Sequence, residues 1–319
     1  MSPSLRALLS GIIDYAGLFP PAKLPLAEAL RNYAGYRTEP DSWMLGRFIC
    51  PAARLVELDP FLKELFPSDP PLAVSALGRG GNTGIEALQG LQADLDAINA
   101  CRQRHGGRVV IDVLETRLPV DLVANPALAK VFFASAKVPI QQGGLPLAVY
   151  YEAAFGPSWR EALGAFIPAL DGGFKLRCGG LEASAFPTTE QVAFALTTCL
   201  HAGRPFKATA GLHHPLRHFD RQLGTTMHGF LNVFGAGVLA SALNLTEEEL
   251  RPILADEDPS HFRFTDTAFQ WQELSAPLGA ITAARRERFI SFGSCSFDEP
   301  RADLRSLGLL ESLETPRSA

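Results

Sequence analysis

The sequence predicts a single α/β domain, a (β/α)8 barrel of the TIM type with an N-terminal extension. Three observations carry that prediction. From residue 46 onward, short β-rich runs alternate with helical segments. The runs number eight. Several of them bear polar side chains at alternate positions: Lys175 and Arg177, Lys207 and Thr209, Asp112, and Glu152. In a doubly wound open sheet, the alternative architecture, both faces meet helices and such groups would be buried away from water. A barrel has an inward face on which they can converge. Residues 1–40 are expected to form an extension and a helix packed on the barrel, and residues 41–319 the barrel itself.

Within the extension, Ser10 to Ala22 is apolar, broken by glycine and by Pro20-Pro21, and Asp14 stands alone among Ile12, Ile13, Tyr15 and Leu18. Asp14 is read as a capping or solvated residue of an entry loop; the competing reading delivers its acid across the barrel mouth or floor. Leu26 to Tyr36 has the spacing of an amphipathic helix. The expected strands are Arg47–Cys50, Leu72–Leu77, Val109–Leu114, Leu147–Glu152, Phe174–Cys178, Phe206–Ala210, Phe262–Phe264 and Phe289–Phe292. Helices are expected at Pro51–Leu65, Ile85–Arg104, within Val120–Lys137, after Ser158, from Thr188 or Thr189 to Gly203, at Phe230–Leu243, Thr246–Leu254 and Pro277–Arg288, and from Ala302 to Leu310.

Bulk properties exclude several functions. The chain has 319 residues, 47% of them hydrophobic and 20% charged, which suits a folded core rather than disorder. A net charge of −5 without a basic block argues against a nucleic-acid partner. Five scattered cysteines without a CxxC pair read as reduced thiols in a cytoplasmic protein. The amino terminus makes a poor signal peptide, and the most apolar helix is too short to span a bilayer, so no membrane partner is expected.

Barrel active sites lie at the carboxyl ends of the strands. Residues expected there include Arg79 in GRGGNTG, Asp112 to Glu115, Glu152, Lys175, Arg177, Lys207, Thr209, His213, His214 and Ser294. Cations, carboxylates and imidazoles together suit a small anionic, oxygen-rich substrate. Lys207 is the central candidate, because a lysine inside an apolar strand is paired, anion-binding or catalytic. Catalysis by its free amine calls for a depressed pKa, and Lys175 and Arg177 on the neighbouring strand are the expected source. The catalytic candidates are therefore Lys207, Lys175, Asp112, Glu152 and His213. Arg177, Thr209, His214, Arg79 and Ser294 are the candidate substrate contacts.

Four of the seven histidines fall between residues 213 and 228. His213, His214 and His228 with Glu152 form the candidate set for a divalent metal, although no firm zinc motif is present. GRGGNTG is read either as a phosphate cradle or as a loop before a helix capped by Asn82. Cys295 in FGSCSFDEP is read as a loop residue in preference to a nucleophile, and Asp298 and Glu299 as caps of the last helix.

The segments FKLRCGG (174–180), PFKATAGLHHP (205–215), HGFLNVF (228–234) and FGSCSFDEP (292–300) resemble those of a family of uncharacterised bacterial proteins. That resemblance spans most of the chain and implies no activity. FKATAG around Lys207 is also similar to the FIKTSTG segment of deoxyribose-phosphate aldolases, whose lysine on the sixth barrel strand forms a Schiff base. Asp112, on the third expected strand, sits where that family places an acidic residue. The family's second active-site lysine is on the seventh strand, whereas Lys175 is read here on the fifth and FRF offers only Arg263. The leading expectation is an aldolase- or lyase-like enzyme on a small anionic carbonyl compound, using a strand lysine and no cofactor. A divalent-metal lyase, isomerase or hydrolase is the alternative. A metabolite-binding barrel without turnover, with a homo-oligomeric scaffold role, is the third reading.

Overall fold

The structure is a computed structural model and describes residues 1–67, 69–142 and 146–311; the end of the expected barrel domain, 312–319, lies outside the described residues. Eight parallel strands close into a barrel: β1 (Ile13–Tyr15), β2 (Leu45–Pro51), β3 (Leu72–Leu77), β4 (Val109–Arg117), β5 (Ala148–Glu152), β6 (Gly173–Arg177), β7 (Phe206–Thr209) and β8 (Phe289–Ser294). Each pairs with its neighbours in chain order, and β8 closes the ring against β1. The architecture is therefore the expected α/β barrel of the TIM type.

The strand roster differs from the sequence reading at two places. Ile13–Tyr15, assigned above to an entry loop in the extension, is the first barrel strand, paired with Phe292–Ser294 on one side and with β2 on the other. Three residues, all buried, are too few for an alternating pattern to show. Arg285 anchors this segment by donating from its buried guanidinium to the carbonyls of Leu8 (2.6 Å) and Ser10 (3.1 Å), and to those of Phe289 and Ile290 on β8. The second difference is Phe262–Phe264, expected as the seventh strand. It lies outside the barrel in an antiparallel three-stranded sheet with Ala268–Trp271 and Leu274–Pro277. A three-residue β-rich run carries no signal that distinguishes a barrel strand from a surface ladder. The added first strand shifts the count by one, so Lys175 stands on β6 and Lys207 on β7, and the loss of Phe262–Phe264 from the barrel keeps the total at eight.

Outside the ring, apolar strand faces meet helices. Phe206 and Phe289 touch edge to face at 6.0 Å, and Phe206 meets Phe234 of the helix Phe230–Leu243 at 6.3 Å. That helix is buried from Phe230 to Ala240, which is why its sequence is apolar all round. Packing Phe206 and Ala208 outward obliges Lys207 and Thr209 to face the interior. The same alternation on β6 puts Phe174 and Leu176 outside and Lys175 and Arg177 inside. Leu26–Tyr36, the first crossover helix, packs Tyr33 against Tyr15 and Phe48, and the Tyr33 hydroxyl donates to the Gly46 carbonyl at 2.8 Å.

Candidate active site

Inside the barrel, six charged side chains form one chain of contacts. Lys207 Nζ lies 2.6 Å from Asp14 Oδ2 and 2.7 Å from Glu115 Oε1. Lys175 Nζ lies 2.7 Å from Glu115 Oε2 and 3.1 Å from Glu152 Oε2. Arg177 Nε donates to Glu152 Oε1 at 3.0 Å. Three carboxylates thus balance three cations, reading across β1, β7, β4, β6 and β5. Hydroxyls complete the coordination: Ser291 donates to Asp14 Oδ2 at 2.6 Å, and Ser75 to Glu115 Oε1 at 2.7 Å. The Tyr150 ring lies 5.5 Å from Lys207 Nζ, at cation–π range.

The backbone is shaped to hold Asp14. The Arg47 amide donates to Asp14 Oδ1 at 2.6 Å, and a Cβ at Gly46 would stand 2.3 Å from that same oxygen. Residue 46 therefore has to be glycine for the carboxylate to sit where it does. On the other strands the ladder sets the level: Lys175 is the register partner of Lys207, and Glu152 that of Lys175.

Burial and charge act in opposite directions on this network. Burial pushes the Glu115 carboxyl up, but Lys175 and Lys207 outweigh it and hold the group well below the usual carboxylate range. Glu152 is lowered in the same way by Lys175 and Arg177. Burial pulls Lys207 down, but Asp14 and Glu115 raise it above the ordinary lysine value; Lys175 is raised by Glu115 and Glu152. The expected depression of a lysine pKa is thus reversed in the resting site. The sequence sets Lys175 and Arg177 on the strand beside Lys207, whereas in the fold Asp14 and Glu115 take the positions next to its ammonium.

The remaining candidates are placed as follows. Asp112 lies three residues before Glu115, where the β3–β4 register slips, and forms a two-point ion pair with Arg47 (Nε 2.7 Å, guanidinium nitrogen to Oδ2 2.6 Å). It does not touch either lysine, so it does not join the site as expected. His213 pairs with Glu299 at 2.8 Å, and His214 pairs with Asp303. His218 stands edge-on to His214 at 4.2 Å and bonds to the Leu216 carbonyl. His228 is buried, bonds to the Pro187 carbonyl at 2.6 Å, and has its pKa pushed down to about 4 by burial, so its imidazole is neutral. Glu152 is engaged by Lys175 and Arg177. The proposed metal set therefore does not converge, and among the described residues no group of three or more His, Cys, Asp or Glu could hold an ion.

Arg79 turns away from the barrel mouth. Its amide donates to Asp94 Oδ2 at 2.8 Å and its guanidinium pairs with the same buried carboxylate. In the following loop the Asn82 amide donates to Glu86 at 2.9 Å, and Thr83 rather than Asn82 caps the helix Gly84–His105. With the Arg79 and Asn82 amides engaged, GRGGNTG forms the entry to this helix. Thr209 ends β7 on the interior face and is half-buried. Ser294 donates to the Ser296 carbonyl at 2.7 Å, forming the turn into Asp298–Ser306. The described cysteines are free and buried, and burial raises the thiols of Cys50 to about 12, Cys101 to about 11 and Cys178 to about 12; Cys295 is raised as well.

Four participants carried weak signals in the sequence. Asp14 was legible as an isolated acid among apolar neighbours, but its partner lies 193 positions away. Ser75 in LAVSAL and Ser291 in FISF look like ordinary strand residues. Glu115 stood at the edge of a candidate stretch without a role. No protein-family model matches the chain, and no curated protein matches it either.

Proposed function

We propose that this barrel is an aldolase- or lyase-like enzyme acting on a small anionic carbonyl compound, with Lys175 forming the imine and Lys207 holding positive charge behind it. The observation that carries this reading is the sharing of Glu115 between two buried lysines. A packed apolar core would be at least as stable as such an ion chain, so its presence in the barrel interior favours a chemical role. Between the two lysines, Lys175 is one contact from the solvent-facing end: its partner Glu152 also meets Arg177, whose side chain is 51% exposed. Lys207 is enclosed, with both its partners buried.

The corrected strand count adds support. Lysines on β6 and β7 match the placement that the aldolase resemblance implies, with the imine on the sixth strand, although the FKATAG segment itself surrounds Lys207. For Lys175 to attack, its ammonium gives a proton to a carboxylate; Glu152 is the acceptor when Arg177 turns from it to the anionic group of the substrate. The amine then adds to the carbonyl carbon and water leaves. In the protonated imine the bond between the α and β carbons breaks as the β-hydroxyl loses its proton to water and becomes a carbonyl. The electron pair forms an enamine that is protonated at the α carbon and hydrolysed to free the lysine. Lys207 supplies fixed positive charge to the oxyanion formed during addition.

Borohydride reduction in the presence of pyruvate, followed by peptide mapping, tests the reading. A covalent adduct on Lys175 that disappears in Lys175→Arg is expected, since arginine keeps the charge but not the nucleophile. An adduct on Lys207 exchanges the two roles. No adduct with pyruvate, glyoxylate or propanal would end the imine mechanism.

A further inference from the structure

β4, β5 and β6 end in Arg117, Glu152 and Arg177, and Arg117 is the direct register partner of Glu152. Glu115, two residues before Arg117, contacts both lysines inside the barrel, so strand alternation places Arg117 on the same inward face, one layer nearer the mouth. Arg117 is exposed, and its side chain has no hydrogen-bond or ion-pair partner among the described residues, whereas Arg177 is tied to Glu152. The six charges of the interior chain cancel one another. Arg117 is therefore a surplus cation on the rung of Glu152, at the carboxyl end of β4, in a chain whose net charge is −5.

The opposite side of the mouth is unsuited to an anion. In barrels of this type a phosphate often sits at the loops after the seventh and eighth strands, on a helix N-terminus. Here the helix after β8, Asp298–Ser306, begins with Asp298 and Glu299, and its Glu299 amide is already taken by the Ser296 hydroxyl at 3.1 Å. His213, on the loop after β7, is taken by Glu299.

We infer that Arg117 and Arg177 form a two-pronged clamp for a terminal oxyanion of the substrate, a carboxylate or a phosphate, on the β4–β6 side of the mouth. Two guanidiniums on either side of Glu152 offer forked donors to one planar or tetrahedral oxyanion, while Lys175 lies below to meet the carbonyl. The position of the carbonyl rests on the imine reading above; the clamp itself does not.

Calorimetric titration with inorganic phosphate and, separately, acetate at constant ionic strength tests the clamp without any carbonyl chemistry. Saturable binding of at least one ion by the unaltered protein is expected. Arg117→Gln and Arg177→Gln should each weaken it about tenfold, with Lys130→Gln on the outer helix Pro126–Gln142 leaving it unchanged. The preferred ion tells phosphate from carboxylate. Failure of the unaltered protein to bind either ion, or an Arg117→Gln variant of native circular dichroism that binds like the parent, would overturn the inference. Because no imine forms in this assay, a failed borohydride trap leaves its outcome untouched, and the two hypotheses fail separately.

Discussion

Lys175 and Lys207 are register partners on adjacent strands, and Glu115 reaches across from β4 to stand 2.7 Å from each of them. Two ammonium groups that would otherwise repel one another share a single carboxylate, one oxygen apiece. Glu115 is thus the centre of the interior charge chain, and its removal has a calculable direction.

Glu115→Gln leaves two buried lysines short of one negative charge. Breaking one partner of a buried pair typically destabilises by about 3–5 kcal/mol. Chemical denaturation should show a loss of that order, and the double replacement Glu115→Met/Lys207→Met should lose less than the sum of the two single changes. Additive losses would mean that the pair is not coupled.

Stability should also depend on pH at both extremes. Glu115 and Glu152 are lowered from the ordinary 4.5 by the lysines and Arg177, so their contribution is present above that value and is lost as pH falls toward their folded-state pKa values. Lys207 is raised from the ordinary 10.5 by Asp14 and Glu115, so its contribution is complete below that value and is lost as pH rises through the folded-state pKa. Denaturation midpoints measured against pH should be flat between these limits with respect to this network and fall outside them. In Glu115→Gln the acid-side fall should be smaller.

Gly46→Ala probes the seat of Asp14. The added methyl would stand 2.3 Å from Asp14 Oδ1 and 3.0 Å from the Gly11 carbonyl, so the carboxylate has to leave its present seat. A loss of about 1–3 kcal/mol is expected from the overpacking alone. Trapping of pyruvate at Lys175 should also slow, because the charge balance around Glu115 shifts. An unchanged melting temperature would show that Asp14 is not held in place by this contact.

Exhaustive chelation should leave borohydride trapping intact, and His213→Gln together with His228→Gln should retain it. The histidines are committed to Glu299 and to the Pro187 carbonyl and do not meet at one point. Loss of trapping on chelation, with recovery on adding back zinc or manganese, would restore the metal-dependent mechanism.

The barrel class was legible in the sequence because it depends on local patterns. Strand and helix periodicity are set by which residues alternate outward against helices, as Phe206 and Ala208 do around Lys207. Interior polar positions on β5, β6 and β7 follow from the same alternation, so Glu152, Lys175, Arg177, Lys207 and Thr209 could be named without coordinates. What only the tertiary structure decided is which charges meet. β1 is three residues long and closes the ring at its far edge, and that closure brings Asp14 to Lys207 across 193 positions of chain. Periodicity reports the face on which a side chain lies but not its partner around a barrel. The sign of the lysine pKa shift therefore had to come from the fold: two neighbouring cations imply a lowered value, and two adjoining carboxylates produce a raised one.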